Sequence, residues 1–262
     1  MGRDCQIYLM QKSLNQRLAE RETLIGTWVS IAAPEVTEIL CQTGFDFLLV
    51  DGEHAPIGES ELGNILRAAK GSDTAILYRV PANQEHLIKV ALDLGVDGLF
   101  VPRVNNASQA QAAVDAAKYP PLGKRGVGPL RASNYYQNAI DYVMNANRDV
   151  TLVLQIEDKE AIETLDQILR VKGYDALYVG PADLSASYGV FPNTSHEEVL
   201  AAVSRVIAWC AKAGVPSGMD ASSVSHLNQM SKAGMQLLTL GGDLQYLLDG
   251  ARGLSTEIRD TI

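Results

Sequence analysis

One unit recurs along most of the chain: an apolar-periodic helical stretch, a glycine, and then a short run of apolar β-forming residues. A glycine just after an amphipathic stretch is typical of a helix end, because it adopts the left-handed conformation that closes the last turn. The runs are apolar on both faces and are separated by helices, which is the pattern of parallel strands buried by crossover connections. The units are Gly44 before Phe47–Val50, Gly71 before Ala75–Tyr78, Gly95 before Leu99–Val101, Gly173 before Ala176–Val179, Gly214 before Val215–Pro216 and Gly234 before Leu237–Leu240.

Two further runs, Gly26–Ser30 and Thr151–Ile156, raise the number of predicted strands to eight. Eight strands alternating with helices favour a closed (β/α)8 TIM barrel over an open doubly wound sheet. An open dinucleotide-binding sheet would also need a glycine-rich turn after its first strand, and residues 30–34 contain no glycine. The predicted helices keep an apolar period of about 3.6 residues. One stripe is Leu62, Ile65, Leu66 and Ala69, and another is Ile162, Leu165, Ile168 and Leu169.

Length and composition predict one domain and a small-molecule partner. The 262 residues, 47% of them hydrophobic, suffice for a single barrel spanning 1–262, with a helix before Gly26 that covers its bottom. The net charge of −9 argues against nucleic acid and membrane partners, which need a positive surface. No signal peptide or membrane-length apolar run is visible, so we expect a cytoplasmic protein. Cys5, Cys41 and Cys210 are expected to be reduced and buried.

Polar side chains follow seven of the predicted strands. In (β/α)8 barrels the active site lies at the carboxyl ends of the strands, so these side chains are expected to converge. None of these ends carries a lysine, which leaves a Schiff-base mechanism without its nucleophile. The segments are Asp51-Gly52-Glu53-His54, Arg79, Pro102-Arg103, Gln155-Ile156-Glu157, Gly180-Pro181-Ala182-Asp183, Gly218-Met219-Asp220 and Gly241-Gly242-Asp243.

Glu157 and Asp183 end neighbouring strands and form the candidate metal site. Two carboxylates that lie close together repel each other unless a cation or a proton joins them. Oxygen ligands suit a hard divalent ion such as Mg²⁺ or Mn²⁺ rather than zinc. The alternative is that both acids only cap the helices that follow them.

His54 and Arg79 are the other candidates for chemistry. His54 follows two acids in a turn and could act as a general base near neutral pH; the alternative is an exposed loop histidine without a chemical role. Arg79 at the end of an apolar strand needs an anionic partner, which is either a substrate oxyanion or a carboxylate of the barrel itself. The other histidines, His86, His196 and His226, are expected to be structural.

From about Gly26 to Asp243, the chain resembles the metal-dependent class II pyruvate aldolases of the phosphoenolpyruvate/pyruvate barrel superfamily. This family is typified by 4-hydroxy-2-oxoheptanedioate aldolase and 2-dehydro-3-deoxyglucarate aldolase. The resemblance rests on several motifs together, each of them weaker alone. They are Leu49-Val50-Asp51-Gly52-Glu53-His54-Ala55-Pro56, Arg79-Val80-Pro81, the proline- and glycine-rich run 119–128, Gln155-Ile156-Glu157 and Gly180-Pro181-Ala182-Asp183-Leu184-Ser185.

The resemblance implies a role for each matching residue. Glu157 and Asp183 would bind the metal ion, Mg²⁺, Mn²⁺ or Co²⁺. His54 would be the catalytic base, with Asp93 raising its basicity and Asp51 ordering the region, while Arg79 would stabilise the enolate oxygen. The substrate-binding residues would be Gln155, Gly180, Ala182, Asp183, Trp28 and Met219.

The same resemblance implies a homo-oligomer, a hexamer built as a trimer of dimers that exchange a C-terminal helix. The final apolar-periodic stretch after Leu244 would be that helix. The sequence departs from well-known members just after Gly128, where the loop is a few residues shorter, and at Met219-Asp220, where some members have aliphatic residues. Both departures concern the aldehyde pocket rather than the pyruvate site.

The expected function is therefore a lyase that forms or cleaves 4-hydroxy-2-oxo acids from pyruvate and an aldehyde. Two alternatives stay open. The first is a citramalyl- or malyl-CoA lyase, which would need a site for the CoA phosphates that the acidic composition does not favour. The second is a non-catalytic barrel that binds a keto acid, which the presence of His54, Arg79 and both metal-ligand candidates argues against.

Overall fold

The computed structural model describes residues 12–262, in which strands and helices alternate. The strands are β1 (Leu24–Val29), β2 (Phe47–Asp51), β3 (Ala75–Arg79), β4 (Gly98–Val101), β5 (Thr151–Ile156), β6 (Ala176–Val179), β7 (Ser217–Ala221) and β8 (Leu237–Gly242). The helices are α1 (Leu14–Ala19), α2 (Pro34–Leu40), α3 (Glu59–Ala68), α4 (Glu85–Leu94), α5 (Ala107–Ala117), α6 (Ala139–Asp149), α7 (Lys159–Glu163), α8 (Leu165–Ile168), α9 (Pro181–Ser187), α10 (Glu197–Ala213), α11 (Val224–Lys232) and α12 (Asp243–Thr261).

The strands pair in parallel and in chain order, and β1 closes the barrel by pairing with β8. The predicted (β/α)8 barrel is confirmed. The six glycines expected to end helices all have a left-handed φ, between 70° and 107°. Because every strand runs in the same direction, all carboxyl ends lie on one face of the barrel.

Side chains fill the barrel interior, which is a packed core and not a channel. Strands contribute Leu24, Phe47, Leu49, Leu77, Phe100, Val153, Ala176, Tyr178 and Leu237. Leu14 and Leu18 of α1 join this cluster, and Arg17 of α1 pairs at 2.7 Å with Asp46, which directly precedes β2. Helix α1 therefore covers the amino-terminal end of the barrel, opposite the carboxyl ends of the strands.

A second apolar cluster lies between the strands and the surrounding helices. It includes Leu62, Ile65 and Leu66 of α3, together with Ile162 and Leu165. The predicted helix through Ile162 and Leu169 is divided at Thr164, whose φ of −101° and ψ of 12° separate α7 from α8. The Thr164 hydroxyl donates to the Asn105 carbonyl at 2.8 Å, so a side-chain contact competes with continuation of the helix.

The remaining sequence expectations have mixed outcomes. The seventh strand begins at Ser217, so Val215 and Pro216 precede it. Cys210 is buried and Cys41 half-buried, both as free thiols, whereas Cys5 lies outside the described residues. Among residues 12–262, no helix combines the length and the apolar character needed to span a bilayer.

Candidate active site

The inward-facing side chains change from apolar to polar at the carboxyl ends of the strands. Side chains alternate between the two faces of a strand, so the inward positions after Leu49 and Leu77 are Asp51 and Arg79. By the same alternation, Trp28 and Asp220 occupy the inward positions near the ends of β1 and β7. These groups form the floor of the barrel mouth.

Arg79 is fixed by two carboxylates and a ring. Its Nε and Nη2 donate to Asp51 Oδ1 and Oδ2 at 3.0 and 2.8 Å, and Nη1 lies 3.2 Å from Glu53 Oε2. The guanidinium carbon lies 4.5 Å from the centre of the Trp28 ring. The structure therefore contains the ion pair within the barrel that the sequence left open as an alternative for Arg79. This ion pair also fixes the Arg79 guanidinium at the face of the barrel where the carboxyl ends of the strands lie.

The two acids respond differently to this cation. Burial raises the pKa of Asp51, but the hydrogen bonds and charge of Arg79 more than offset it, so the Asp51 pKa lies below its ordinary value. Burial also raises the pKa of Glu53, and there the opposing charges of Arg79 and His54 do not reverse the shift.

His54 lies in the turn that Asp51 organises. Asp51 Oδ1 accepts hydrogen bonds from the backbone N–H groups of Glu53 and His54, at 3.0 and 3.2 Å. The His54 side chain is 64% exposed, with Nε2 3.8 Å from Glu53 Oε2. The imidazole is thus held at the mouth of the barrel, where solvent and a small molecule can both reach it.

Glu157 is a buried carboxylate with both oxygens engaged. Oε1 accepts from the Arg103 backbone N–H at 2.8 Å, and Oε2 accepts from Gln155 Nε2 at 2.6 Å. Burial raises the pKa of Glu157 to about 7; the Arg103 hydrogen bond opposes this rise, and the charges of Asp183 and Glu53 add to it. Such a group favours a proton or a metal cation as its partner.

The structure argues against the capping alternative for both acids. Asp158, and not Glu157, is the N-cap of α7, where it accepts from the Glu160 backbone N–H at 2.9 Å. No side chain caps α9, whose first turn holds the exposed Asp183. Within the part of the chain that the structure describes, no group of three or more histidine, cysteine, aspartate or glutamate side chains is arranged to hold a metal ion.

Gly180 leaves room for the Glu157 carboxylate. A Cβ added to Gly180 would lie 2.6 Å from Glu157 Oε2 and 3.0 Å from Gln155 Nε2, closer than side chains pack. Gln155 Oε1 is buried and accepts no hydrogen bond from residues 12–262. A buried acceptor without a donor is costly unless a ligand or water satisfies it. The carboxyl ends of β5 and β6 therefore form a polar pocket in which one buried acceptor, Gln155 Oε1, is unused.

Asp93 and Met219 lie elsewhere than the other candidates. The Asp93 carboxylate pairs with the fully buried side chain of Arg125 at 2.7 Å, and within residues 12–262 it makes no hydrogen bond or ion pair with His54. Met219 packs in the cluster between strands and helices, so the inward position of β7 belongs to Asp220. The predicted role of Asp93 stays a prediction.

Arg103 and Asp220 were both among the polar strand ends read from the sequence, but their contacts in the site were not predicted. The Arg103 backbone N–H reaches Glu157 because Arg103 adopts a left-handed φ of 55°, which residue type alone does not reveal. Asp220 accepts from Trp28 Nε1 at 3.2 Å and from the Thr239 hydroxyl at 2.6 Å. Burial raises the Asp220 pKa, against the hydrogen bonds of Thr239 and Trp28 and the Arg79 charge.

The closed barrel, with a fixed cation and buried acids at its carboxyl face, defines an enzyme of the (β/α)8 class. Comparison with known families gives the particular group. A family model described as "HpcH/HpaI aldolase/citrate lyase" matches residues 24–249. The chain belongs to this family.

Similar proteins agree over nearly the whole length. The hydroxypyruvate/pyruvate aldolase of Roseobacter denitrificans is 37% identical over 94% of this chain and 96% of its own. The 5-keto-4-deoxy-D-glucarate aldolase of Escherichia fergusonii is 36% identical over 92% of this chain and 94% of its own. A solved HpcH/HpaI aldolase/citrate lyase family protein from Burkholderia cenocepacia superposes with a TM-score of 0.89 at 35% identity, covering 94% and 98% of the two chains.

The chain is an aldolase, a carbon–carbon lyase that acts on small molecules. The resemblance stated from the sequence motifs is confirmed by these findings, and neither the CoA-thioester lyase nor the non-catalytic barrel is favoured by them.

Proposed function

We propose that this aldolase forms the enolate of a 2-oxo acid such as pyruvate and joins it to an aldehyde, giving a 4-hydroxy-2-oxo acid, and that it also catalyses the reverse cleavage. The observation that carries the proposal is the placement of the fixed Arg79 cation at the same barrel mouth as the buried Glu157 and the exposed His54. An enolate needs positive charge at its oxygen and a base at the neighbouring carbon.

The residues present fit a divalent metal ion. Glu157 offers a buried carboxylate whose pKa is raised to about 7 by burial, and Asp183 offers a second carboxylate in the first turn of α9. Gly180 leaves the space beside the Glu157 carboxylate free of a side chain. Mg²⁺, Mn²⁺ and Co²⁺ are all candidates for an oxygen-rich site of this kind. When bound, the ion supplies positive charge that lowers the energy of the enolate.

The side chains at the barrel mouth then have different roles in the reaction. His54 takes a proton from the methyl carbon of the 2-oxo acid, and this proton is returned to the aldehyde oxygen after the new carbon–carbon bond forms. Arg79 holds its charge at the developing oxyanion, because Asp51 and Glu53 prevent the guanidinium from turning away. Gln155 and the backbone of Ala182 and Asp183 orient the substrate, and Trp28 borders the space above Arg79.

We further propose that the protein is a homo-oligomer whose subunits exchange α12. Every residue of α12 after Asp243 is at least partly exposed, and its large apolar side chains meet solvent in the isolated chain. They are Leu244, Tyr246, Leu247, Leu248, Leu254 and Ile258. An apolar face of this size is typical of an interface between subunits. A hexamer by light scattering is expected, and a monomer at micromolar concentration would contradict the exchange.

The reaction is tested by incubating pyruvate with glycolaldehyde, protein and Mg²⁺, Mn²⁺ or Co²⁺, with product formation followed by chromatography and mass spectrometry. A 4-hydroxy-2-oxo acid should form and should be cleaved back to pyruvate when supplied alone. The Arg79→Lys variant is the matched comparison. It keeps the positive charge but cannot form the two-point contact with Asp51, so it separates the effect of the charge from the effect of its fixed position. Absence of any product across a panel of aldehydes would reject the proposed reaction.

A further inference from the structure

Strand β7 contributes an inward carboxylate, Asp220, for which the proposed reaction has no role. Its Oδ1 accepts two hydrogen bonds, from Trp28 Nε1 at 3.2 Å and from the Thr239 hydroxyl at 2.6 Å. The Thr239 oxygen in turn lies 2.5 Å from the Tyr178 hydroxyl. Because Thr239 donates its only hydroxyl hydrogen to Asp220, Tyr178 donates to Thr239. The chain of donors therefore converges on one oxygen of Asp220.

The other oxygen, Oδ2, receives no hydrogen bond from residues 12–262. Asp220 faces the same space as Arg79, because the Trp28 side chain contacts both, with its Nε1 on Asp220 and its ring 4.5 Å from the guanidinium carbon. The Asp220 carboxylate thus lies at the same barrel mouth as Arg79, with one oxygen not used by the described chain.

The two hydrogen bonds to Oδ1 do not by themselves need a charged acceptor. Two donors on one oxygen could be satisfied by the carbonyl of an asparagine, which avoids the cost of burying an anion. A carboxylate with one oxygen tied and one free is instead a fixed, directional acceptor. Its natural partner is a hydroxyl group, which donates a hydrogen bond, and it disfavours a second anion through like-charge repulsion.

We propose that Asp220 determines substrate specificity, with Oδ2 accepting a hydrogen bond from a hydroxyl group of the substrate. The inference rests on the aldolase reaction proposed above. The hydroxyl could be on the aldehyde, next to its carbonyl, or on the third carbon of the 2-oxo acid. Aldehydes that carry a carboxylate at this position would be poor substrates.

The test compares kcat/KM for substrate pairs that differ by one group. Glycolaldehyde is paired with acetaldehyde to test the aldehyde, and hydroxypyruvate with pyruvate to test the 2-oxo acid, while glyoxylate reports rejection of an anion. The wild-type enzyme should prefer the hydroxylated member of one pair by about tenfold, as expected for one hydrogen bond to a charged group. Asp220→Leu should abolish that preference, and the pair affected identifies which substrate carries the hydroxyl.

The Asp220→Asn variant removes the negative charge of the side chain but keeps its shape, so it tests the two contributions separately. It keeps an acceptor for Trp28 and Thr239, so it should fold even if Asp220→Leu does not, and it should raise the glyoxylate-to-glycolaldehyde ratio of kcat/KM severalfold. Thr239→Val is the matched control. It removes one of the two hydrogen bonds to Asp220 Oδ1, keeps the one from Trp28, and leaves Oδ2 free. This control should keep the hydroxyl preference.

The inference is overturned if the ratios are unchanged in the Asp220 variants, or if Thr239→Val loses the preference to the same extent. Exchange of pyruvate methyl protons with deuterated water, measured on the same samples, distinguishes failure of the proposed Asp220 role from failure of the proposed reaction. Normal exchange with unchanged ratios defeats only the role of Asp220. No exchange in the wild-type enzyme defeats the proposed reaction itself.

Discussion

Asp51 and Arg79 are register partners on neighbouring strands, and their side chains form a two-point ion pair with donor–acceptor distances of 3.0 and 2.8 Å. Pairing of β2 with β3 places both residues at the carboxyl end at the same height. The pair is nearly enclosed, with side-chain exposures of 9% for Arg79 and 7% for Asp51. The ion pair thus joins the stability of the barrel to the position of a cation in the site.

Replacing Arg79 by alanine should affect both properties. The free energy of unfolding should fall by about 3 kcal/mol, because Asp51 would be left as a buried charge without its partner. The kcat should fall by about 100-fold or more, the usual loss when a donor to a developing oxyanion is removed. Urea denaturation and steady-state kinetics measure the two effects.

Arg67→Ala is the control for this prediction. Arg67 lies on the exposed side of α3 and contacts Asn64 at 2.9 Å. Its loss should change the free energy of unfolding by less than about 0.5 kcal/mol and leave kcat intact. If Arg67→Ala and Arg79→Ala changed the free energy of unfolding and kcat equally, the proposed role of Arg79 in stability and catalysis would be refuted.

The sequence was sufficient for the fold because the fold depends on a repeated local signal. Glycines such as Gly95 and Gly214 mark helix ends by their left-handed φ, and the apolar runs after them are buried strands. The same logic predicted that Glu157 and Asp183 follow neighbouring strands, and in the structure Glu157 follows β5 directly and Asp183 lies in the first turn of α9, after β6. The helix break at Thr164 was missed because it depends on a contact with Asn105, which is distant in sequence.

The details of the site depend on directions that residue order does not contain. A one-residue change of position along β7 decides whether Met219 or Asp220 faces the interior, and only the register of β7 with β6 and β8 settles it. The contact of the Arg103 backbone with Glu157 requires an uncommon φ. The ion pair of Asp93 with Arg125 joins a helix to a long irregular segment.

Glu157 should make the metal-free protein less stable as the pH rises. Burial raises its pKa in the folded chain from an ordinary value near 4.5 to about 7, so the folded state holds a proton that the unfolded state has released. This contribution to stability is fully present below about pH 4.5 and is lost as the pH rises through about 7. Its total is on the order of 3 kcal/mol.

Denaturation of the metal-free protein across this pH range tests the sign, with Glu157→Gln as the comparison. The glutamine variant should lose this part of the pH dependence, because its amide does not titrate. Affinity of the wild-type protein for Mn²⁺ should rise over the same range, since the metal competes with the proton. A wild-type stability that rises relative to the variant between about pH 4.5 and about pH 7 would contradict the shift.

Gly180→Ala should weaken metal binding while the barrel still forms. The new Cβ would lie 2.6 Å from Glu157 Oε2, so the carboxylate must move from its present position. We expect at least a tenfold loss of Mn²⁺ affinity in calorimetry, a loss within the range seen when groups that orient metal ligands are changed. Gly63→Ala on α3 is the control, because the nearest atom to its added Cβ would be Nη1 of the flexible Arg67 side chain at 3.5 Å, and it should bind Mn²⁺ normally. Unchanged affinity in Gly180→Ala would place the metal elsewhere.

His54→Ala should separate proton transfer from metal binding. The exposed imidazole makes no hydrogen bond to Glu157 or Asp183 in the described chain, so its removal should leave Mn²⁺ affinity nearly unchanged. The rate of pyruvate proton removal should fall by about 100-fold or more, within the range for loss of a general base. His86→Ala, an exposed substitution on α4, should change neither quantity. A parallel loss of affinity and rate in His54→Ala would make His54 a metal ligand or a structural residue.

The most direct test of enolate formation is the exchange of pyruvate methyl protons for deuterium, followed by NMR with no aldehyde present. The wild-type protein should catalyse this exchange with Mg²⁺, Mn²⁺ or Co²⁺, lose it when EDTA removes the ion, and recover it when the ion is restored. Exchange should be nearly absent in Arg79→Ala and His54→Ala. If the wild-type protein exchanges no protons with any of these metals, the site does not form a pyruvate enolate and the proposed mechanism is wrong.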